Sequence, residues 1–269
     1  MGSGGELPRD FGRLAFGADP AGYNRARPPY PDWVYETLTS RCGLGRGCAT
    51  FEIGAGTGIA TRRLLREGAS PIVAVEPDRR LAAFLEASVE TRALSVVNAP
   101  FESADLPEGA FDLGVCATAF HWLAEDAALA KIARLLKPGG WWAAVWNVFG
   151  DDSSPDPFHE ATVALFEGAS NSPGSPGGGR REFGLDADAR IGALERTGAF
   201  EAIDHLVSQW PLELSADEAV ALYATYSNVN ARADRAELLA ALHQVASEPP
   251  FSDRVVRNMT TSLFIARRA

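Results

Sequence analysis

Short apolar runs alternate through the first half of the chain with segments whose apolar positions recur every three or four residues. The runs are Thr50–Ile53, Ile72–Val75 closing on Glu76, Leu94–Val97, Phe111–Ala117 and Trp141–Val148. They predict five strands. Between them, helical spacing marks a segment from about Ile59 through Leu64 and Leu65, and another opened by Pro77-Asp78 and carrying Leu81, Phe84, Leu85 and Val89. A third runs from Glu125 to Leu136, where Lys137-Pro138-Gly139-Gly140 predicts a stop before the fifth strand. Strands joined by helices of this length imply right-handed crossovers and a parallel sheet with helices on both faces, an α/β protein.

The second half is less regular. An acidic, proline-rich start and a short apolar run, Phe158 to Phe166, lead into Gly168–Arg180, rich in Gly, Pro and Ser. That composition predicts a mobile insert over 150–182. A helix is expected near Asp186–Thr197, a strand at Ala202–Trp210, and a last strand at Met259–Ala266. Between those strands, Ser215-Ala216-Asp217-Glu218 reads as a capping box, and Asp234-Arg235-Ala236-Glu237 as a repeat of the device. The two capped helices predict a helical cap at 213–252. The organisation is thus an N-terminal segment with a helix (1–46), a core (47–149), the insert, and a region completing the sheet and bearing the cap (183–269). Met1–Gly5 reads as a disordered start.

Composition narrows the function. A net charge of −10 and scarce lysine disfavour nucleic acid, which needs a basic surface. No apolar stretch approaches membrane-spanning length, and the N-terminus lacks a signal pattern. The three cysteines, Cys42, Cys48 and Cys116, form no C-x-x-C pair and read as reduced thiols, which predicts a cytoplasmic protein.

The chemistry concentrates at strand ends. After the first strand the chain reads Glu52-Ile53-Gly54-Ala55-Gly56-Thr57-Gly58, three glycines at alternate positions before a helix. Glycine there lets bare backbone approach a ligand and tolerates positive φ. The spacing departs from the G-x-G-x-x-G dinucleotide fingerprint, because Ile59 and Ala60 stand where its third glycine would fall. Glu76, ending the second strand, is placed to accept hydrogen bonds from ribose hydroxyls. Phe101 and Glu102, after the third strand, offer an apolar contact and an acceptor for an adenine. The acids and histidine at Asp151, Asp152, Asp156, His159 and Glu160 match no metal-ligand spacing, and no metal is expected.

These segments, Glu52–Gly58, Val73–Asp78, Phe101–Pro107, Phe111–Trp122 and Leu135–Trp142, together resemble the successive motifs of class I S-adenosylmethionine-dependent methyltransferases. The stretch Tyr23–Pro31 and Ala119-Phe120-His121-Trp122 are similar to the small-molecule branch that includes trans-aconitate methyltransferase-like proteins. The resemblance implies a Rossmann-like sheet of seven strands, mostly parallel with the last antiparallel. It implies S-adenosylmethionine as donor, S-adenosylhomocysteine as product, and a small-molecule acceptor. The donor would lie over Glu52, Gly54, Ala55, Gly56, Thr57 and Gly58, beside Glu76, Pro77, Phe101, Glu102 and Ala117. Many relatives carry aspartate where this chain has Glu102. Tyr23 and Arg27 would fold over the donor as a lid, the guanidinium taking its carboxylate.

His121 sits at the rim where donor and acceptor would meet, and stands as general base, as a positioning or donor-contact residue, or as inert packing. A carboxylate acceptor is already ionised and needs no base. Tyr30, Phe120, Trp122, Asn147, Tyr223 and Tyr226 are the remaining candidates for the acceptor pocket, under a lid from residues 16–31 and the helices of 215–248. The expected reaction is direct, metal-independent methyl transfer, at oxygen. The rivals are a cyclase or decarboxylase that keeps the donor without transferring its methyl, a non-catalytic donor-binding module, and a nicotinamide oxidoreductase.

Overall fold

The computed structural model describes residues 5–149, 155–177 and 180–269. Met1–Gly4, Asp151 and Asp152, and positions 178 and 179 of the Gly168–Arg180 stretch lie outside them. Two helices, α1 (Pro20–Ala26) and α2 (Asp32–Cys42), precede the alternating core. The core runs β1 (Thr50–Ile53), α3 (Ile59–Arg66), β2 (Ile72–Val75), α4 (Arg79–Ser88), β3 (Leu94–Val97), β4 (Phe111–Ala117), α5 (Glu125–Leu135) and β5 (Leu136–Phe149). It continues with α6 (Pro157–Thr162), α7 (Ala187–Arg196) and β6 (Phe200–Leu214). A helical excursion, α8 (Ala216–Tyr223), α9 (Ser227–Asn230) and α10 (Arg235–Ser247), then leads to β7 (Val255–Arg268).

The seven strands form one sheet in the order β3-β2-β1-β4-β5-β7-β6. Strands β1 to β5 pair in parallel, and β7 runs antiparallel to both β5 and β6. From β1 the chain moves outward to β2 and β3, then returns to place β4 on the other side. A crevice opens beyond the carboxyl ends of β1 and β4, where the order reverses, and this is where an α/β sheet receives a ligand.

Alternation along each strand splits the core between the two faces. Phe51, Ile53, Trp142, Ala144 and Trp146 pack with Leu129 and Ile132 of α5 and Leu194 of α7. Leu113, Val115, Ala143 and Val145 face Val34 and Leu38 of α2 and Leu64 of α3. The Phe51 ring fits because Gly114 lies on the neighbouring strand. A Cβ at Gly114 would come within 2.3 Å of that ring. Phe51 is also buried against Phe111, with ring centroids 5.1 Å apart. A third cluster, Phe158, Ala219, Tyr223, Leu238, Leu242 and Val255, holds the cap together over the far end of β7.

The insert is tied into this frame by a buried ion pair. Asp156 caps α6 by accepting from the His159 amide at 2.7 Å. Its other oxygen accepts from Arg257 Nε of β7 at 2.8 Å, and both side chains are at most 3% exposed. Further along, Asn171 forms a parallel bridge with Glu6, and the Leu7 amide donates to its carbonyl at 2.7 Å.

Two local expectations are corrected. Lys137-Pro138-Gly139-Gly140 does not separate α5 from the fifth strand, because β5 already begins at Leu136. Leu136 pairs with Phe111 and Trp141 with Leu113, so the four residues form a bulge, with Gly139 at a φ of 77°. The second capping box is also absent. Ser215 accepts from the Glu218 amide while Glu218 accepts from the Ser215 amide, a complete box. The Asp234 carboxylate makes no cap bond and instead takes Arg232 through two hydrogen bonds. Arg232, two residues back, engages both of its oxygens.

Ser215→Ala should therefore lower unfolding free energy by about 1 kcal/mol in urea titration. Asp234→Ala should cost clearly less. Equal losses would mean that Asp234 caps its helix after all.

Candidate active site

Beyond β1, the chain turns on Gly54, Gly56 and Gly58, all at positive φ (66°, 58° and 85°). Each serves a different purpose. A Cβ at Gly54 would strike Ala119 at 2.5 Å, and one at Gly58 would strike Leu85 at 2.4 Å. At Gly56 a Cβ meets nothing within 4 Å, so this backbone faces open space. The turn is fixed from the side by Glu76, which follows β2. One carboxylate oxygen accepts from the Gly56 amide and the other from the Asp78 amide, both at 2.8 Å. Burial pushes the Glu76 carboxyl up to about 7, against the pull of those two N–H donors.

These groups line one pocket at the carboxyl ends of β1, β2 and β4. Its wall carries Tyr23, Gly54, Gly56, Glu76, Pro77, Phe101, Glu102, Ala117 and Trp122, all expected from the sequence. Glu52, Ala55, Thr57 and Gly58 lie behind the turn. The Glu52 carboxylate, buried below the glycines, accepts from Thr61 Oγ1 of α3 at 2.6 Å. Burial raises it to about 7. Phe101 is held by Lys131, whose ammonium donates to the carbonyls of Phe101 and Ala104 at 2.7 and 2.6 Å.

Several wall residues escaped the sequence reading. The amino-terminal 3-10 turn Arg9–Arg13 crosses the mouth, so the covering segment begins before residue 16. Arg13 pairs with Glu102 at 3.3 Å, and Gly12 leaves room for the Trp122 indole. Asp78 and Arg80 latch the next stretch. Arg80 donates to the Leu14 carbonyl and to Asp78, which also accepts from the Gly17 amide. Burial of Asp78 opposes its charge, yet these bonds hold its pKa below the usual value. Thr118 has a φ of 54°, an uncommon conformation for a β-branched residue. The Tyr30 hydroxyl holds its Oγ1 at 2.7 Å. Tyr30 thus stands behind the site. No local sequence signal announces either the lid's start or the Thr118 conformation.

Phe16, Tyr23, Thr118 and Trp122 are shared with a second, larger cavity of about 450 Å³. Its wall includes Arg27, His121, Trp146, Asn147, Phe149, Phe166, Tyr223, Tyr226 and Arg257. Phe120 is not on it, being 2% exposed and packed on Trp142. The Asn147 amide is committed, donating to the Pro29 carbonyl and accepting from Thr261 Oγ1. Arg27 lies in this cavity rather than in the first, among the rings of Tyr23, Phe149 and Tyr226, each 5.2 Å from its Cζ. Trp146 was legible only as a core position of β5.

The His121 ring is set by Trp146. The indole Nε1 can only donate, and it donates to His121 Nδ1 at 3.2 Å. A neutral His121 therefore carries its proton on Nε2. Burial first, and the field of Arg27 second, push its pKa down to about 3. At neutral pH the imidazole is uncharged and presents an N–H donor. Among the described residues, no three His, Cys, Asp or Glu side chains gather as a metal set.

Residues 51–144 match the family described as "Methyltransferase domain". An uncharacterized methyltransferase of Schizosaccharomyces pombe is 34% identical over 143 residues, covering 52% of this chain and 55% of that protein. The chain thus spans about half the length of the curated relatives it matches. The phosphoethanolamine N-methyltransferase 2 of Haemonchus contortus, solved with S-adenosylhomocysteine, is 14% identical. It superposes with a TM-score of 0.57 over 94% of this chain and 57% of that one. The cyclase SpnF, 17% identical, gives a TM-score of 0.60 over 99% of both chains. These two likenesses concern the fold.

Long-range proton–nitrogen NMR correlations should show His121 in the Nε2–H form, without titration between about pH 5 and pH 8. Trp146→Phe should release that tautomer preference. A wild-type His121 that titrates near neutrality would contradict the assignment.

Proposed function

We infer that this chain, whose residues 51–144 match a methyltransferase domain, binds S-adenosylmethionine and transfers its methyl group to a small-molecule acceptor, at oxygen. The observation that carries the reading is one pocket combining bare glycine backbone with a buried carboxylate, Glu76, and opening through shared walls into a cavity large enough for a second molecule.

The residues present fit such a donor. Gly56 leaves room for close approach, and Glu76 retains acceptor capacity for two ribose hydroxyls beyond its two backbone bonds. Phe101 offers an apolar contact for adenine, and Glu102 an acceptor for its amino group. The bound donor supplies a sulfonium-activated methyl; its carbon–sulfur bond breaks with the electron pair left on sulfur as the acceptor oxygen takes the methyl. The chain's contribution is alignment and exclusion of water by Phe16, Tyr23 and Trp122 at the junction of the two cavities. His121 donates a hydrogen bond and orients the acceptor, instead of removing a proton. An acceptor oxygen that is already anionic suits that role.

Incubation with methyl-labelled donor and a panel of carboxylic acids and phenols tests the reading. Label should appear in an acceptor product, with S-adenosylhomocysteine formed in equal amount. Product formed without label would replace methyl transfer with cyclase- or decarboxylase-type chemistry. Tight donor binding with no turnover on any acceptor would indicate a non-catalytic module.

Calorimetry with S-adenosylhomocysteine provides a second check. The ribose hydroxyls favour the ionised form of Glu76, and its pKa of about 7 makes affinity rise as pH increases through neutrality. The gain should be about tenfold from about pH 6 to about pH 8. Glu76→Gln should abolish the pH dependence and weaken binding by about 10- to 100-fold at the upper pH.

A further inference from the structure

We propose that the acceptor is a flat aromatic acid, its ring system lying among the aromatic walls of the larger cavity and its anionic oxygens taken by the Arg27 guanidinium and the His121 Nε2–H. The inference rests on the methyl-transfer reading for the word acceptor, and on the cavity alone for its chemistry.

The first observation is an excess of donors. Arg27 forms no ion pair among the described residues. One terminal nitrogen donates to the Thr225 carbonyl at 3.0 Å, while its buried Nε has no partner. The Tyr226 hydroxyl, whose ring flanks Arg27, is also buried without a partner. His121 adds the Nε2–H that Trp146 leaves pointing away from the indole bond. The cavity's other guanidinium, Arg257, is already neutralised by Asp156. Among the described residues one carboxylate lies on the wall, Glu182, and it accepts from Ser175 Oγ. Buried donors left unmatched are costly, and a cation boxed by rings is poorly solvated. A carboxylate brings two acceptor oxygens and the missing charge, and a guanidinium fork matches its geometry.

The second observation is the wall itself. Trp122, Trp146, Phe149, Phe166, Tyr223 and Tyr226 all line one space of about 450 Å³. Aromatic rings meet at centroid distances of 4.5–7 Å, so a planar body can sit between them with favourable offset or edge contacts. A short aliphatic polycarboxylate meets the opposite condition. It would set two or three charges against apolar faces, with one unpaired guanidinium to answer them.

The test is titration calorimetry on the wild-type chain, with and without saturating S-adenosylhomocysteine. The probes are 1-naphthoate, its neutral isostere 1-naphthamide, and trans-aconitate. 1-Naphthoate should bind at least about tenfold more tightly than either alternative. Arg27→Met and Arg27→Lys should each weaken 1-naphthoate by about tenfold or more while leaving S-adenosylhomocysteine affinity within about twofold. An unchanged thermal melt reports that the variants fold. Equal or better binding of trans-aconitate, indifference to naphthoate charge, or no binding of 1-naphthoate would overturn the proposal. So would an Arg27 substitution that costs donor-product affinity instead, because Arg27 would then serve the donor's carboxylate. Failure of the wild type to bind S-adenosylhomocysteine would refute the donor reading separately, since the probe titration without it reads the larger cavity alone.

Discussion

The Glu76 carboxylate, accepting at once from the Gly56 and Asp78 amides, is the contact on which the rest of the site depends. It joins the end of β2 to the turn that leaves β1, so two strands and two helices are fixed relative to one another at the sheet's reversal point. The same carboxylate forms part of the first pocket's wall. Its burial raises its proton affinity, and the backbone donors oppose that shift without cancelling it. A group held this close to neutrality responds to a ligand that donates hydrogen bonds to it. Below the turn, Glu52 repeats the arrangement with Thr61 as its donor, which keeps α3 in place under the glycines.

The larger cavity is a product of the less regular half of the sequence. The β6–β7 pair extends past the parallel strands and carries α8 to α10 between its arms. The buried Asp156–Arg257 pair joins the insert to β7. Removing either partner of such a pair leaves an uncompensated charge, a loss of about 3–5 kcal/mol. This junction thus keeps the cavity's far wall in place, while Arg27 reaches the cap from the N-terminal side through the Thr225 carbonyl.

Much of this was legible in the chain. The largely apolar runs Ile72–Glu76 and Phe111–Ala117 marked strands found at Ile72–Val75 and Phe111–Ala117, because strands covered on both faces are mostly apolar. Ser215 and Glu218 gave a real capping box, because both halves of the device lie within four residues. What failed did so for nonlocal reasons. Asp234 has the right type and spacing, but Arg232 takes its carboxylate. Pro138-Gly139-Gly140 has the composition of a terminator, yet pairing with β4 turns it into a bulge. The wall positions of Glu76, Phe101 and Glu102 followed from strand ends, whereas Thr118 and Trp146 depend on contacts with Tyr30 and His121 that spacing does not encode. Arg27 lines the larger cavity, a placement that depends on where α1 packs.

A crystal structure of the chain with S-adenosylhomocysteine tests the central claim most directly. Ribose hydroxyls should lie within hydrogen-bonding distance of Glu76, adenine beside Phe101, and the sulfur turned toward the cavity lined by His121 and Tyr226. A ligand bound elsewhere, or bound with its sulfur facing away from that cavity, would contradict it.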